Sequence, residues 1–271
     1  MQILYYRNIR RQGIYKMKIY HYTSIETLAL ILQNKTLRFN NAKFVNDPKE
    51  AITKDYGSMQ EYVFISCWTK ESTESIPLWK IYGNNCHGVR LESDTKYIRF
   101  EGEETPLNGI YKVVENVKKE FDSDYFINIW QLDKPSINHF FETNYSNEER
   151  IFMKDTSTET QQSWEYQVDA VFNTKATCWA FEKEIRFILL GCSLEPSKAK
   201  NNWQLVFNNI TEKKKVSSTF VDLILFDDFF NNLTITTGPL QNESEKIIVQ
   251  SLVQKYNQNI KVLESKLQLR K

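Results

Sequence analysis

The order in which strand-like and helix-like periods follow one another is the tightest constraint on how this chain folds. Lys18-Ile19-Tyr20-His21-Tyr22 alternates as a short strand does. Thr23 and Glu26 have the spacing of a capping box and predict a helix over 24–33, with Ile25, Leu28, Ile31 and Leu32 on its buried face. Asn34 stands where a left-handed residue would stop that helix, and 36–40 reads as a second strand. The mostly apolar, β-branched and aromatic run 62–68 predicts a central strand. Pro77 then opens a short helix bearing Trp79 and Tyr82, and 87–91 is another strand. Later strands are expected within 177–190 and at 203–207, 220–226, 233–237 and 260–263, with a helix over 240–256. Successive strands between isolated helices predict an α+β class, with a central, mostly antiparallel or mixed sheet and flanking helices, rather than a doubly wound fold.

Between these patterned regions, 115–167 is polar, aromatic and helical in period with a break at Pro135, so it reads as a helical insertion into a single domain spanning 18–271. The opening residues carry Arg7, Arg10, Arg11 and Lys16 without any period. Residues 1–17 are therefore either a flexible basic arm or a mis-assigned start, with Met17 the true first residue.

Composition removes several function classes. The 271 residues hold only eight glycines, and the nearest approach to a phosphate loop, 83–88 (GNNCHG), is followed by Val89 and Arg90 instead of Lys and Ser or Thr. No G-x-G-x-x-G, G-x-S-x-G or H-E-x-x-H occurs, which removes the usual dinucleotide folds, α/β-hydrolases and zincins. A net charge of +1 with both signs interspersed argues against nucleic acid as an obligatory partner, because backbone binding wants a cationic stripe. Four cysteines without C-x-x-C pairing and no apolar leader at the start predict reduced thiols in a cytoplasmic protein. Only His21, His87 and His139 accompany them, so no metal set is expected, and no apolar run approaches the ~20 residues of a membrane span.

Two constellations carry chemistry. Taken as one strand, 181–187 turns Phe181, Lys183, Ile185 and Phe187 one way and Glu182, Glu184 and Arg186 the other. Such a row is either a site or a structural ion-pair ladder, since charges among apolar neighbours must be paired. Adjacent carboxylates raise one another's pKa, which suits bonding a sugar hydroxyl or stabilising a cation. The second is His21, on the first strand just before a capped helix whose N-terminus favours the neutral imidazole.

The run Y-H-Y-T-S-x-E-x-L-x-x-I-L-x-N-x-T-L-R-F from Tyr20 onward, F-x-N-D-P-x-E from Phe44, F-I-S-C-W from Phe64, L-W-x-x-Y-G from Leu78 and W-x-F-E-K-E-I-R-F from Trp179 resemble, in that order, a bacterial domain-of-unknown-function family numbered 2971. That resemblance supplies no activity. The opening Tyr-His-Tyr-Thr with its following helix also resembles ADP-ribosyltransferase-type folds, in which a first-strand histidine holds a ribose hydroxyl of NAD and a later strand offers a glutamate. The resemblance implies NAD as a substrate, with Glu184 catalytic and Glu182 supporting it. It implies His21, Thr23, Arg38, Ser66, Tyr82 and Arg186 around the nucleotide, with Tyr82 or Trp79 as a stacking face. It further implies an ADP-ribosyltransferase or NAD glycohydrolase, working as a toxin or phage-defence effector on an acceptor the residues do not specify.

Other words stay open. Asn46-Asp47-Pro48 with Glu50 is either a helix cap or a carboxylate presented to the site, Arg38 meets either a phosphate or Glu50, and Gly238-Pro239 is either an anion-binding helix terminus or an ordinary turn. Two competing functions are a non-enzymatic binding or regulatory module, which predicts no cleft around His21, and a metal-dependent nuclease. The nuclease would gather Asp47, Glu182 and Glu184 on magnesium, with Lys175 or Lys183 assisting.

Overall fold

A computed structural model describes residues 17–98, 125–128, 140–155, 157, 160, 164–167, 171–193 and 208–270. It is an α+β structure around a ten-stranded sheet. In chain order the strands are β1 (Lys18–Thr23), β2 (Thr36–Asn41), β3 (Val63–Thr69), β4 (Val89–Asp94), β5 (Tyr125–Asn128), β6 (Phe141–Glu142), β7 (Glu184–Cys192), β8 (Phe220–Ile224), β9 (Thr234–Thr237) and β10 (Lys261–Glu264). They run in the order β8-β2-β3-β1-β4-β9-β10, and β7 pairs with β3, β5 and β6. Every pairing in this sheet is antiparallel except β9 with β10.

The core lies where the sequence is most apolar. All nine residues of β7 are buried, and β3 beside it is buried along most of its length, so both are mostly apolar with little alternation beyond the Glu184-Ile185-Arg186 start of β7. Helix α1 (Ile25–Asn34) lays Leu28, Ile31 and Leu32 on the sheet. Its N-cap is Ser24, whose hydroxyl accepts from the Thr27 N–H, one residue later than the Thr23 box expected. It is closed by Lys35 in the left-handed region (φ 53°) rather than by Asn34. The short α2 (Ile76–Ile81) and α3 (Asp227–Asn231) follow, and α4 (Glu243–Tyr256) begins with a full capping box of Asn242 and Glu245. Gly238-Pro239 is thus a turn, in which the Gly238 N–H bonds the Gly88 carbonyl at 2.9 Å.

The expected helical insertion at 115–167 is described only in part. Wherever 115–167 is described, its regular structure is strand: β5, β6, Asn144–Tyr145, Met153–Asp155 and Trp164–Tyr166. β5 and β6 complete the outer edge of β7, so pairing with an open edge overrides a helical period there. The rest of that insertion, the expected strand at 203–207 and the basic arm lie outside the described residues.

Candidate active site at a split in the sheet

Strand β3 serves two partners along one edge. Its beginning pairs with β2 (Asn41 opposite Phe64, Asn40 opposite Ile65), and its end meets β1 through Tyr20 opposite Thr69. The two partners part from each other between those points because α1 joins them. In the gap, the Cys67 carbonyl is taken by the ring of His21, whose Nδ1 lies 2.8 Å away. A cavity of about 540 Å³ opens at this split, lined from β1, β2, β3, α1 and the end of α2. That is within the ~300–1,000 Å³ usual for small-molecule sites.

The register separates the side chains by face. Tyr20, Thr69 and Glu184 are paired in a row and share one face, which gives the other to His21 and Trp68. His21 and Glu184 nevertheless both line the cavity, because it reaches through the split from one face to the other. The His21 ring sits 5.1 Å from that of Trp68. Burial lowers its pKa, with the Cys67 carbonyl opposing, so the imidazole is neutral at pH 7.

The carboxylates sit in a buried chain of alternating charge. Lys183 adopts a left-handed conformation (φ 44°) after a 3-10 segment, Thr177–Glu182, so Glu182 is not on the strand with Glu184 and Arg186 as its spacing suggested. A side chain missing from that row reunites them. Lys175, 4% exposed, reaches Glu182 Oε2 at 2.5 Å and Glu184 Oε2 at 3.2 Å. It is placed by a two-residue parallel ribbon of Thr174–Lys175 with Asn144–Tyr145, and the Tyr145 hydroxyl in turn accepts the Glu184 N–H at 2.8 Å. Arg186 grips Glu184 with Nε (3.0 Å) and Nη2 (3.2 Å), and Glu50 with Nη1 (2.9 Å) and Nη2 (2.7 Å). At the cavity end, the Tyr82 hydroxyl donates to Glu182 Oε1 at 2.5 Å.

This environment drives the two carboxylates apart. Burial would raise the pKa of Glu184, but Arg186 and Lys175 outweigh it and hold it down to about 2. Burial and the neighbouring Glu184 raise that of Glu182, against Lys175 and Tyr82. An ionised carboxylate beside a more basic one is the arrangement that divides acid–base duties between two like groups. The Cys67 thiol is pushed up by burial and by Glu184, so it stays protonated.

Of the other expected residues, Thr23, Arg38, Ser66 and Tyr82 line the cavity. Ser66 accepts from Trp68 Nε1 at 3.3 Å. Arg38 does not meet Glu50: it forks onto Asp222 of β8 at 2.8 and 2.7 Å. Arg186, 1% exposed, is absent from the cavity wall and bonds Glu184, Glu50 and the Phe172 carbonyl. Trp79 is wholly buried and offers no stacking face. Asp47 caps a turn at the Lys49 N–H (2.9 Å) instead of a helix, and Glu50 is a buried partner of Arg186. The Lys175 ammonium fills the space between Glu182 and Glu184 where magnesium would sit, and no three His, Cys, Asp or Glu side chains among the described residues group as metal ligands. Lys175, expected only as an aid to a metal site, is the cation between the two carboxylates, and Tyr145 is the member the sequence does not single out. Compared with protein-family models, curated proteins and solved structures, the chain matches none.

Proposed function

We propose that the cavity at the split binds NAD and cleaves its nicotinamide–ribose bond, as an ADP-ribosyltransferase-like or NAD glycohydrolase enzyme. The observation that carries this reading is a neutral His21 and an ionised Glu184 on the walls of one cavity. In the reaction, the bond from ribose C1′ to the pyridinium nitrogen breaks and its electron pair leaves with neutral nicotinamide. The positive charge that grows on C1′ and the ring oxygen is set against Glu184, whose low pKa keeps it ionised for that purpose. A carboxylate in a water-poor cavity is worth more against such a cation than in bulk water. Water or an acceptor hydroxyl then bonds C1′, and Glu182, the more basic carboxylate, takes its proton. His21, neutral, is free to exchange hydrogen bonds with ribose hydroxyls. Four free thiols among the described residues fit a reducing, cytoplasmic setting. Among the described residues no helix is long and apolar enough to cross a membrane.

A thermal-unfolding series tests this. NAD at one hundred times its Kd stabilises the native state by about 2.7 kcal/mol. The wild type is expected to shift with NAD and not with magnesium alone, and His21→Ala to lose most of the shift. A shift with magnesium alone would favour the nuclease. No NAD shift in a folded wild type would leave the chain of charges as structure.

A further inference from the structure

Arg90 is not on the cavity wall, although Tyr20 and Tyr22, over whose rings it lies, are. It sits on β4 opposite Tyr22 of β1 and Thr236 of β9, and is 7% exposed. Its guanidinium stacks over Tyr20 (4.5 Å to the ring centre) and more loosely over Tyr22 (5.9 Å). Nη1 donates to the Ser72 carbonyl at 3.0 Å. Nε is sealed from solvent with no partner. No carboxylate among the described residues pairs with it: Glu92 is taken by Lys18, and Glu74 by Trp79 Nε1, Ser265 Oγ and the Lys266 N–H. The contrast with the other arginines is direct. Arg38 and Arg186 each give their Nε–Nη2 edge to a carboxylate, whereas that same edge of Arg90 is uncommitted.

A guanidinium withdrawn from water without a counter-charge is costly, and tyrosine faces offset only part of that cost. The Nε–Nη2 edge is also the fork that matches two oxygens of one oxyanion. We propose that Arg90 is an anion-binding residue that takes a phosphoryl group first through Nη2, with Nε as its second donor once the contacts that seal it part, on the sheet face shared by Tyr20 and Tyr22. The inference stands apart from the NAD reading, since it requires only a phosphorylated ligand.

Thermal unfolding at constant ionic strength, with chloride as the balancing salt, tests it using inorganic phosphate and pyrophosphate, beside acetate and succinate as carboxylates. The wild type is expected to be stabilised by the phosphates. In Arg90→Gln the half-saturating concentration should rise roughly tenfold to a hundredfold, the usual loss for hydrogen bonds to a charged group. Arg90→Lys, which keeps the charge but not the fork, should fall between, and it serves if Arg90→Gln does not fold. In phosphate-free buffer Arg90→Gln loses the bond to the Ser72 carbonyl and the stacking on Tyr20, so each variant's response to phosphate is measured from its own phosphate-free unfolding temperature. Stabilisation equal in all three proteins, or none in the wild type, overturns the proposal. Stabilisation by the carboxylates alone overturns the phosphoryl assignment. His21→Ala should keep the phosphate response even if NAD binding is absent, which separates this site from the cavity.

Discussion

Lys175 is the residue on which the buried chain depends most. With it, Lys175 and Arg186 face Glu50, Glu182 and Glu184; without it, Arg186 alone is left in ion-pair contact with this group of three buried carboxylates, and Glu182 loses its cation. Removing one partner of a buried pair typically costs about 3–5 kcal/mol, so Lys175→Met should lower urea stability by that order, and adding Glu182→Gln should recover part of it. Recovery of nothing would mean the loss comes from packing against Trp179, over whose ring the ammonium lies. The pH dependence has a definite sign for each group. Glu184 has a native pKa of about 2, below the ordinary ~4.3, so its stabilisation is complete above ~4.3 and lost as pH falls toward 2. His21 has a native pKa below 6.5, so the unfolded chain binds its proton first and stability falls as pH drops through ~6.5. Denaturant titrations from pH 8 to 5 should show that fall in the wild type and a flatter profile in His21→Gln. The residue types of the site were legible: an imidazole on the first strand and a Glu-x-Arg pair among apolar neighbours. Lys175 and Glu50 entered only as open alternatives, beside a metal or at a cap, and Tyr145 not at all, because each reaches the chain of charges across distant sequence through folds of the backbone that local pattern does not encode.

At the scale of elements, the turn at Lys183 decides how the two glutamates meet. A strict two-residue alternation puts both on one strand, but the left-handed residue ends a 3-10 segment at Glu182 and starts β7 at Glu184. Lysine has no special tolerance for that conformation, whereas glycine does and β-branched residues do not. Lys183→Gly should therefore keep stability within about 1 kcal/mol of the wild type, and Lys183→Val should lose about 1–2 kcal/mol, read by thermal unfolding. Equal losses would mean that the contact of Lys183 with Glu71, not the backbone, sets the cost. Helix α1 gives a plainer test: Ser24→Ala removes the acceptor for the Thr27 N–H and should cost about 1 kcal/mol, while Thr23→Ala leaves that cap intact. Most strands and both longer helices were readable to within a few residues, because buried faces impose a period. In the described parts of 115–167, Tyr125–Asn128 and Phe141–Glu142 gain their hydrogen bonds from the edge of β7, distant in sequence, while Asn144–Tyr145 pairs with Thr174–Lys175 and Met153–Asp155 with Trp164–Tyr166.

For the whole molecule, the α+β class followed from the succession of periods, but the split that makes the cavity did not. It arises because β1 and β2 share one edge of β3 at different heights, a fact of long-range pairing. The same topology predicts where the molecule resists opening. Amides of β7, and those of β3 that pair with it, should exchange slowest with deuterium, and those of β10 at the sheet margin much faster. The cavity thus has a firm floor, and β1 and β2 diverge above it. Whether that opening is a catalytic site is settled most directly by nicotinamide release from NAD, measured for the wild type beside Glu184→Gln. The wild type is expected to release nicotinamide, and Glu184→Gln to release it roughly 10²–10³-fold more slowly with NAD binding retained, as when a group opposing transition-state charge is removed. A folded wild type that releases no nicotinamide, or a Glu184→Gln that releases it at the wild-type rate, would contradict the proposed function.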